Sequence, residues 1–391
     1  MDARSVAANL IKSIPCDEFG AGRLLSPLVV TGWLRRDRTT FAKYFAEQAA
    51  RSASNPLRHR FVEGEGHMTT LFLAATGGHL AELDRLADRI PHDGDSVWVT
   101  HADQQSQSML AGRDVEFVPY VGVRSLPDVL RCVPHAHRLM KRRKLTRAVS
   151  TGAGIALGYL PYLAFRGVMC HYIESAARVH APSLTGQILQ WVPGVRTYTQ
   201  YLGWSSRRWG YAGSVFDGYE PVTVARAPGT VLRVVVMSGC ATQYPFRRLF
   251  EHLAPLLAPD GVLAQTTGLP VQVLWQTGET HVADLPIQPT PLLPAAELSA
   301  ELARADIVIS HAGTGSALAA LEAGRYPVLT PRDSAYGEQV DNHQQQLATE
   351  LACRGLAMHC DVDCLTVEVM LATLGTSIQR CGMPSLYLLR A

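Results

Sequence analysis

The sequence lacks a hydrophobic run long enough to cross a membrane, and it lacks a large excess of charge of either sign. Residues 148–165, which no uncharged segment exceeds in length, contain three glycines and Pro161 and are fewer than the about 20 apolar residues that a spanning helix needs. We interpret it as a strand end, a glycine turn and a buried helix, with a segment that dips into the membrane as the alternative. A net charge of +2 with 47% hydrophobic residues argues against a disordered chain and against a general nucleic-acid binder.

Paired Cys-x-x-Cys motifs are also absent, although the chain contains eight cysteines. Cys353, His359, Cys360 and Cys364 lie close together in the sequence. A structural zinc site usually draws its ligands from such pairs, so this group does not favour one. No secretory signal pattern is visible, and we expect reduced thiols in the cytosol and no bound metal.

Positive charge is concentrated in one segment, residues 124–147, where a single acidic residue, Asp128, interrupts the basic ones. The basic residues are Arg124, Arg131, Arg138, Lys141, Arg142, Arg143, Lys144 and Arg147. A basic and partly helical segment of this kind suits an anionic membrane surface or an acidic ligand. The alternative is an ordinary solvated helix face.

Residues 1–67 differ from the rest, because they are rich in arginine and show no continuing hydrophobic period. A strand pattern begins directly at Met68. Either translation starts at Met68, or residues 1–67 are a genuine helical extension.

From Met68 onward, short apolar runs alternate with helical patterns, which predicts parallel strands joined by crossover helices. The runs are 69–75, 96–100, 115–119, 147–151 and 168–173, followed by 231–237, 271–277, 306–310 and 326–331. Prolines and a glycine in residues 221–230 indicate a linker between the two series. The sequence therefore predicts an α/β chain with two doubly wound Rossmann-like domains, 68–226 and 227–391, that face a cleft.

A glycine-rich turn, HAGTGS, follows the third run of the second series. Gly313 and Gly315 allow the backbone to approach a ligand closely, and Thr314 and Ser316 add hydroxyl groups. The helix that follows offers unpaired N–H groups to an anion, and His311 is a candidate donor to a phosphate oxygen. The turn is neither a Walker loop nor a G-x-G-x-x-G motif, yet its composition suits a diphosphate.

A second polar segment precedes the helical pattern that ends near residue 357. Six hydrogen-bonding side chains crowd into it: Glu338, Gln339, Asp341, Asn342, His343 and Gln344. The hydroxyl groups of a sugar require such a lining. The alternative is an ordinary helix start that Asp341 or Asn342 caps.

The first domain repeats the order of strand, glycine turn and helix in LFLAATGGHLAEL. Gly77 and Gly78 form the turn and are candidate binding residues, and His79 stands at the start of the helix. A histidine at the lip of a cleft is a candidate general base, because its unperturbed pKa lies near neutrality. Glu174 follows a strand at the same edge. It is a candidate base, a candidate group to orient His79, or an ion-pair partner of Arg178 at i+4.

Four segments occur in order along the chain: TGGHLAEL, YIESAARV with PSLTGQIL, ADIVISHAGTGS and VDNHQQQLATELA. Together they resemble the two-subunit N-acetylglucosaminyltransferase that adds the second sugar to the dolichol-diphosphate carrier, and the related bacterial capsule and exopolysaccharide transferases. Residues 68 to about 220 are similar to the membrane-anchored subunit and residues of about 230 to 360 to the catalytic subunit, as in a fusion of the two. The C-terminal half also resembles family 28 glycosyltransferases.

The resemblance implies a GT-B fold, a UDP-sugar donor on the C-terminal domain, a lipid-diphosphate acceptor under the N-terminal domain, and inversion at the anomeric carbon. It implies no required cofactor or metal, since helix N-termini and His311 can neutralise the departing UDP. The ribose-binding glutamate of the family is Ala319 here, and Glu322 is the candidate replacement. The family's membrane tether is not visible, and residues 124–147 are the candidate contact with the anionic inner leaflet.

The sequence therefore predicts an inverting glycosyltransferase at the cytoplasmic membrane face. It would move a sugar from a UDP-sugar to a lipid-linked, polyprenyl-diphosphate saccharide in polysaccharide or glycolipid assembly, with no nucleic-acid partner. His79 or Glu174 would deprotonate the acceptor hydroxyl. The alternatives are a transferase with a soluble acceptor, a UDP-sugar 2-epimerase, and a non-catalytic module that docks a partner transferase at membranes.

Overall fold

A computed structural model describes residues 69–90, 95–122, 125–224, 229–239, 244–339 and 341–381. The predictions for residues 1–67 and for Met68 fall outside this part of the chain, as do Arg124 and residues 225–228 of the expected linker.

The first half of the described chain forms a parallel sheet of seven strands. These are β1 (Thr69–Ala74), β2 (Asp95–His101), β3 (Val115–Val118), β4 (Leu145–Gly152), β5 (Met169–Ile173), β6 (Val195–Thr199) and β7 (Trp209–Tyr211). Their order is β3-β2-β1-β4-β5-β6-β7. The helices are α1 (Gly78–Ala87), α2 (Gln104–Met109), α3 (Leu126–Arg142), α4 (Gly154–Phe165) and α5 (Leu184–Leu189). Every residue of the central strand β1 is buried, as expected where helices cover both faces of a parallel sheet.

The second half forms a parallel sheet of six strands after a separate strand, β8 (Tyr219–Thr223). The six are β9 (Leu232–Met237), β10 (Val271–Gln276), β11 (Pro289–Thr290), β12 (Ile307–His311), β13 (Val328–Thr330) and β14 (Met358–His359). Their order is β11-β10-β9-β12-β13-β14. The helices are α6 (Arg247–Leu256), α7 (Val262–Thr267), α8 (Ala295–Arg304), α9 (Thr314–Glu322), α10 (His343–Cys353) and α11 (Val367–Leu371).

The last strand, β15 (Thr376–Arg380), returns to β8 and pairs with it in antiparallel orientation. Residues 219–223 therefore join the C-terminal end of the chain instead of the first sheet. Each of the nine predicted strands is present with bounds shifted by a few residues. The sequence analysis missed β6, β7, β8, β11, β14 and β15, which are short or lie at sheet edges where little apolar surface is buried.

The uncharged segment 148–165 has the predicted structure. It contains the end of β4, a glycine turn and α4, in which most residues are buried. Within the part of the chain that the structure describes, no helix has both the length and the apolar character that crossing a bilayer requires.

The basic segment is largely helix α3, and part of its charge is neutralised by the domain itself. Three of its arginines form ion pairs: Arg131 with Asp128 at 2.8 Å, Arg142 with Glu116 at 2.9 Å, and Arg143 with Asp114 at 2.7 Å. The acidic partners lie on or beside β3 and α3, so the cationic surface is smaller than the sequence alone indicates.

The two domains touch through α1 and α9. Leu80 and Leu83 of α1 belong to the same buried cluster as Leu318 and Leu321 of α9. The helices that start at the two predicted glycine turns therefore pack against each other across the domain boundary.

Candidate functional site

The two glycine turns meet at the start of these helices. A Cβ atom added to Gly315 would lie 3.2 Å from the Cα of Gly78, and one added to Gly78 would lie 3.4 Å from the backbone nitrogen of Gly315. The added atom would be tightly packed at Gly315 and in ordinary van der Waals contact at Gly78, so the two backbones approach each other closely. The structure thus brings together the two turns that the sequence analysis identified separately.

His79 is held by a reciprocal contact with the end of β4. Its Nδ1 lies 2.9 Å from the carbonyl oxygen of Thr151, and the Thr151 hydroxyl donates to the His79 carbonyl at 2.7 Å. A carbonyl only accepts, so Nδ1 carries the proton and Nε2 carries a lone pair. Burial, together with the smaller effects of the Arg178 and His343 charges, lowers the pKa of His79 to about 4. The imidazole is therefore neutral at physiological pH and able to accept a proton at Nε2.

His311 ends β12 and is buried beside two glycines. A Cβ at Gly313 would lie 2.2 Å from its Nε2, and a Cβ at Gly239 would lie 2.6 Å from the same atom. The imidazole consequently fills the space that these glycines leave open. Burial and the charge of Arg332 lower the pKa of His311 to about 3.

Helix α9 begins directly beside this imidazole, with Gly313 as its N-cap. No side chain caps the helix, so its first N–H groups remain available to an anion. Thr314 is buried at the contact with Gly78, whereas Ser316 is partly exposed. The strand end, the imidazole and the helix start thus bring together neutral hydrogen-bond donors on the C-terminal domain, and we call this group the anion pocket for the ligand class that it suits.

Arg332 adds a buried cation to this region. Its side chain is 2% exposed and donates to the carbonyl of Ser238 at the end of β9. Its guanidinium also lies 5.7 Å from the ring centroid of Phe246. The sequence analysis did not select Arg332, because an arginine after a strand gives no signal that it is buried.

The segment that precedes α10 contacts the first domain. Asp341 accepts from Arg178 at 2.9 Å, and it also accepts from the backbone N–H of His343 at 3.2 Å and from the His343 Nδ1. Arg178, which the sequence analysis considered as one possible partner of Glu174, instead forms an ion pair between the domains.

Other side chains of this segment shape the loop after β13. Glu338 is buried, pairs with Arg248 at 3.2 Å and accepts from the backbone N–H of Asp333. Asn342 accepts from the N–H of Ser334. Gln344 is buried and accepts from the N–H of Arg332 at 3.0 Å. Gln339 is partly buried beside them. The predicted sugar-binding role of Glu338, Asn342 and Gln344 is weakened, since these oxygens already serve the protein.

Glu174 lies behind the cleft rather than in it. It is 1% exposed, and its carboxylate accepts from the Tyr172 hydroxyl at 3.0 Å and from both the N–H and the hydroxyl of Ser183. Burial raises the pKa of Glu174. A carboxylate so enclosed and so fully hydrogen-bonded holds its loop in place, which argues against the predicted role as a base.

Glu82, one helical turn after His79, is the second buried carboxylate of this network. It is 0% exposed and accepts from Ser175 Oγ at 3.0 Å, from the Ala176 N–H at 2.9 Å and from the Gln200 amide. Burial raises the pKa of Glu82 from 4.5 to about 8. The helix that carries His79 is thereby tied to the loop that carries Glu174.

Glu322 lies at the far end of α9 and faces the first domain. Its carboxylate contacts Arg85 at 3.0 Å, and it also contacts the Tyr219 hydroxyl and Arg380. This placement argues against the predicted ribose contact, because the side chain is engaged at the domain boundary. That Glu322 replaces the glutamate missing at Ala319 stays a prediction.

The cysteine and histidine group near residue 360 does not assemble a metal site. Among the residues that the structure describes, no group of three or more potential ligands is arranged to hold a metal ion. That the reaction needs no metal ion stays a prediction.

Comparison with known proteins identifies a family match for part of the second domain and a structural match for the fold. Residues 233–374 match the glycosyltransferase family 28 C-terminal domain. Over 92 residues, 22% of this chain, the sequence is 35% identical to the UDP-N-acetylglucosamine transferase subunit ALG13 of Mus musculus and covers 8% of it. Over 55 residues, 14% of this chain, it is 47% identical to the protein of the same name from Yarrowia lipolytica and covers 26% of it. The chain thus spans about a quarter or less of these relatives.

A crystal structure of MurG from Acinetobacter baumannii has a TM-score of 0.50 and 20% sequence identity, over 78% of this chain and 88% of that chain. This likeness confirms the predicted GT-B arrangement of two Rossmann-like domains. The domain boundary near residue 226 stays a prediction.

Proposed function

Because residues 233–374 are a glycosyltransferase family 28 C-terminal domain within a GT-B fold, we propose that the protein is a UDP-sugar-dependent glycosyltransferase. The observation that carries this proposal is the meeting of the two glycine turns, with His79 on one domain and the anion pocket of α9 on the other. Both lie at the carboxyl ends of parallel strands, where ligands of open α/β sheets bind. The similarity to UDP-N-acetylglucosamine transferase subunits supports UDP-N-acetylglucosamine as the first donor to test.

The proposed reaction is an inverting transfer. The acceptor hydroxyl attacks the anomeric carbon from the face opposite the diphosphate, the bond from that carbon to the UDP oxygen breaks, and the hydroxyl proton passes to Nε2 of His79. The N–H groups at the start of α9 and the imidazole of His311 stabilise the negative charge of the departing UDP. In this proposal no metal or other cofactor is required.

We propose that the acceptor is a lipid-linked saccharide, with a polyprenyl-diphosphate carrier, and that the protein binds it at the cytoplasmic face of the membrane. Cations of the segment 125–147, among them the exposed Lys141 and Lys144, are the proposed contact with anionic lipids, at about 1 kcal/mol each. Three arginines of that segment are already paired, so we expect weak, salt-sensitive association.

A panel of UDP-sugars tests the proposal. Calorimetry with UDP and UDP-N-acetylglucosamine measures binding, and product analysis without an acceptor separates slow hydrolysis from conversion to a 2-epimer. We expect binding and slow hydrolysis. Absence of any nucleotide binding would favour a non-catalytic docking module, and an epimer would favour an isomerase.

The variant His79→Ala tests the proposed base. We expect its transfer rate to fall by about 10²- to 10⁴-fold with UDP affinity nearly unchanged, because His79 belongs to the other domain. His281→Ala, at an exposed histidine, is the control that keeps full turnover. Equal rates for both variants would remove His79 from the mechanism.

A further inference from the structure

One ion pair joins the two halves of the proposed site. Arg178 belongs to the loop after β5 in the first domain, and its NH1 lies 2.9 Å from an oxygen of Asp341, just before α10 in the second. The side chain of Arg178 is 26% exposed and that of Asp341 is 43% exposed, so solvent partly screens the pair.

The same carboxylate orients an imidazole. The second oxygen of Asp341 accepts from the His343 backbone and contacts its Nδ1. A carboxylate only accepts, so Nδ1 is the donor and Nε2 is the ring nitrogen left for a ligand. Although burial raises the pKa of Asp341, the His343 hydrogen bond and the Arg178 charge hold that pKa well below its usual range. Asp341 therefore stays an anion.

His343 lies at the start of α10, where two sets of contacts meet. The next residue, Gln344, accepts from the backbone N–H of Arg332 at 3.0 Å, directly after β13, the strand that pairs with the His311 strand β12. On the other side, Asp341 reaches the first-domain loop of Arg178. In the proposed reaction, the sugar being transferred lies between the diphosphate and the acceptor hydroxyl. His343, between the anion pocket and the proposed base, is therefore next to that sugar.

We propose that Arg178 is a positioning residue of the donor site: by holding Asp341 across the domain boundary, it fixes His343 against the donor sugar. The first domain, through Arg178, thereby completes the sugar pocket of the second domain. This inference rests on the proposed function. It assigns Arg178 a role in binding the sugar, and none in binding UDP alone.

A second ion pair between the domains serves as a control. Arg354 pairs with Asp217 at 3.1 Å and lies over the ring of Tyr201. These contacts tie the domains together without touching a histidine. A variant at Arg354 therefore reports what the loss of an interdomain ion pair does by itself.

The experiment compares Arg178→Gln, Arg178→Lys and Arg354→Gln with the wild type. Calorimetry gives the Kd of UDP and of UDP-N-acetylglucosamine, or of the tightest donor in the panel, and steady-state rates give KM and kcat. For Arg178→Gln we expect a rise of about tenfold in the Kd and KM of the UDP-sugar, with the Kd of UDP changed by less than about twofold. Arg178→Lys should recover most of the loss, and Arg354→Gln should leave the ratio of the two Kd values as in the wild type.

Unchanged UDP binding also demonstrates that Arg178→Gln is folded. If the wild type binds UDP and the sugar donor while Arg178→Gln and Arg354→Gln behave alike, the inference is wrong and the proposed function stands. Equal weakening of UDP and of the UDP-sugar would likewise overturn it, as would failure of the lysine variant to recover binding. A wild-type protein that binds no UDP-sugar would overturn the proposed function and this role with it.

Discussion

The two glycine turns share a plan, yet they need glycine for different reasons. In the first domain Gly77 has φ 80° and ψ −136°, a conformation that side chains with a Cβ avoid. In the second domain Gly313 has φ −90° and ψ 140°, which any residue adopts. Its requirement is space, because the imidazole of His311 occupies the place of a side chain. One turn is selected by backbone geometry and the other by packing.

The two histidines differ accordingly. His79 follows its glycines and is oriented by a hydrogen bond to Thr151, which leaves Nε2 as a base. His311 precedes its glycines and is enclosed between Gly239 and Gly313, beside an uncapped helix N-terminus. In the proposed mechanism, the two similar motifs therefore have different tasks: proton acceptance in one domain and anion binding in the other.

The surroundings of the two helices also differ. Helix α1 carries the buried Glu82 in a network with Glu174, whereas the buried positions of α9 are mostly apolar, with Ala317 and Ala320 among them. We therefore expect the stability of the first turn to depend on pH through the ionisation of Glu82. The stability of the second turn should depend less on pH.

The largest effect is expected for Gly313→Ala. The new methyl group overlaps His311, and overpacking of this kind costs about 3 kcal/mol in the free energy of unfolding; the displaced imidazole should also weaken UDP binding. The steric origin is testable with His311→Ala, which makes room for the methyl group. Urea unfolding should give a much smaller penalty for Gly313→Ala in the His311→Ala background, and the same penalty in both backgrounds would contradict this account.

An intermediate effect is expected for Gly77→Ala. The strained backbone should cost about 1–2 kcal/mol, measured by urea unfolding, and UDP affinity should be unchanged. Here His79→Ala should give no relief, because the expected strain lies in the backbone angles of Gly77. Relief by that second substitution would show that Gly77 and Gly313 are needed for the same reason.

The smallest effect at neutral pH is expected for Glu82→Gln. The folded protein raises the pKa of Glu82 from 4.5 to about 8, so it holds a proton that the unfolded chain releases. This contribution to stability is present below about pH 4.5 and is lost as pH rises through about 8. Relative to the wild type, the glutamine variant should gain stability from pH 5 to pH 9 in thermal unfolding. If the stabilities of the two proteins change with pH in parallel, Glu82 is ionised in the native state throughout this pH range and its pKa is not raised.

Much of the architecture could be predicted from local patterns. The apolar runs of β1, β2, β9 and β12 and the glycine turns after β1 and β12 encode parallel strands and helix starts, because burial on both faces leaves continuous apolar runs. Short edge strands such as β7 and β14 leave no such signal. The pairing of β8 with β15 joins residues more than 150 positions apart, and no local pattern encodes a contact of that range.

The amino-acid order by itself determined which residues stand at strand ends, since hydrophobic periodicity and glycine act over a few residues. It therefore identified His79, His311 and the polar segment 338–344 as neighbours of helix starts. The tertiary structure alone decided which side chains face one another: Glu174 and Glu322 became internal partners, and Arg178 became the contact of Asp341. The physical reason is that burial and charge pairing are properties of the assembled domains, where elements distant in the chain share one small volume.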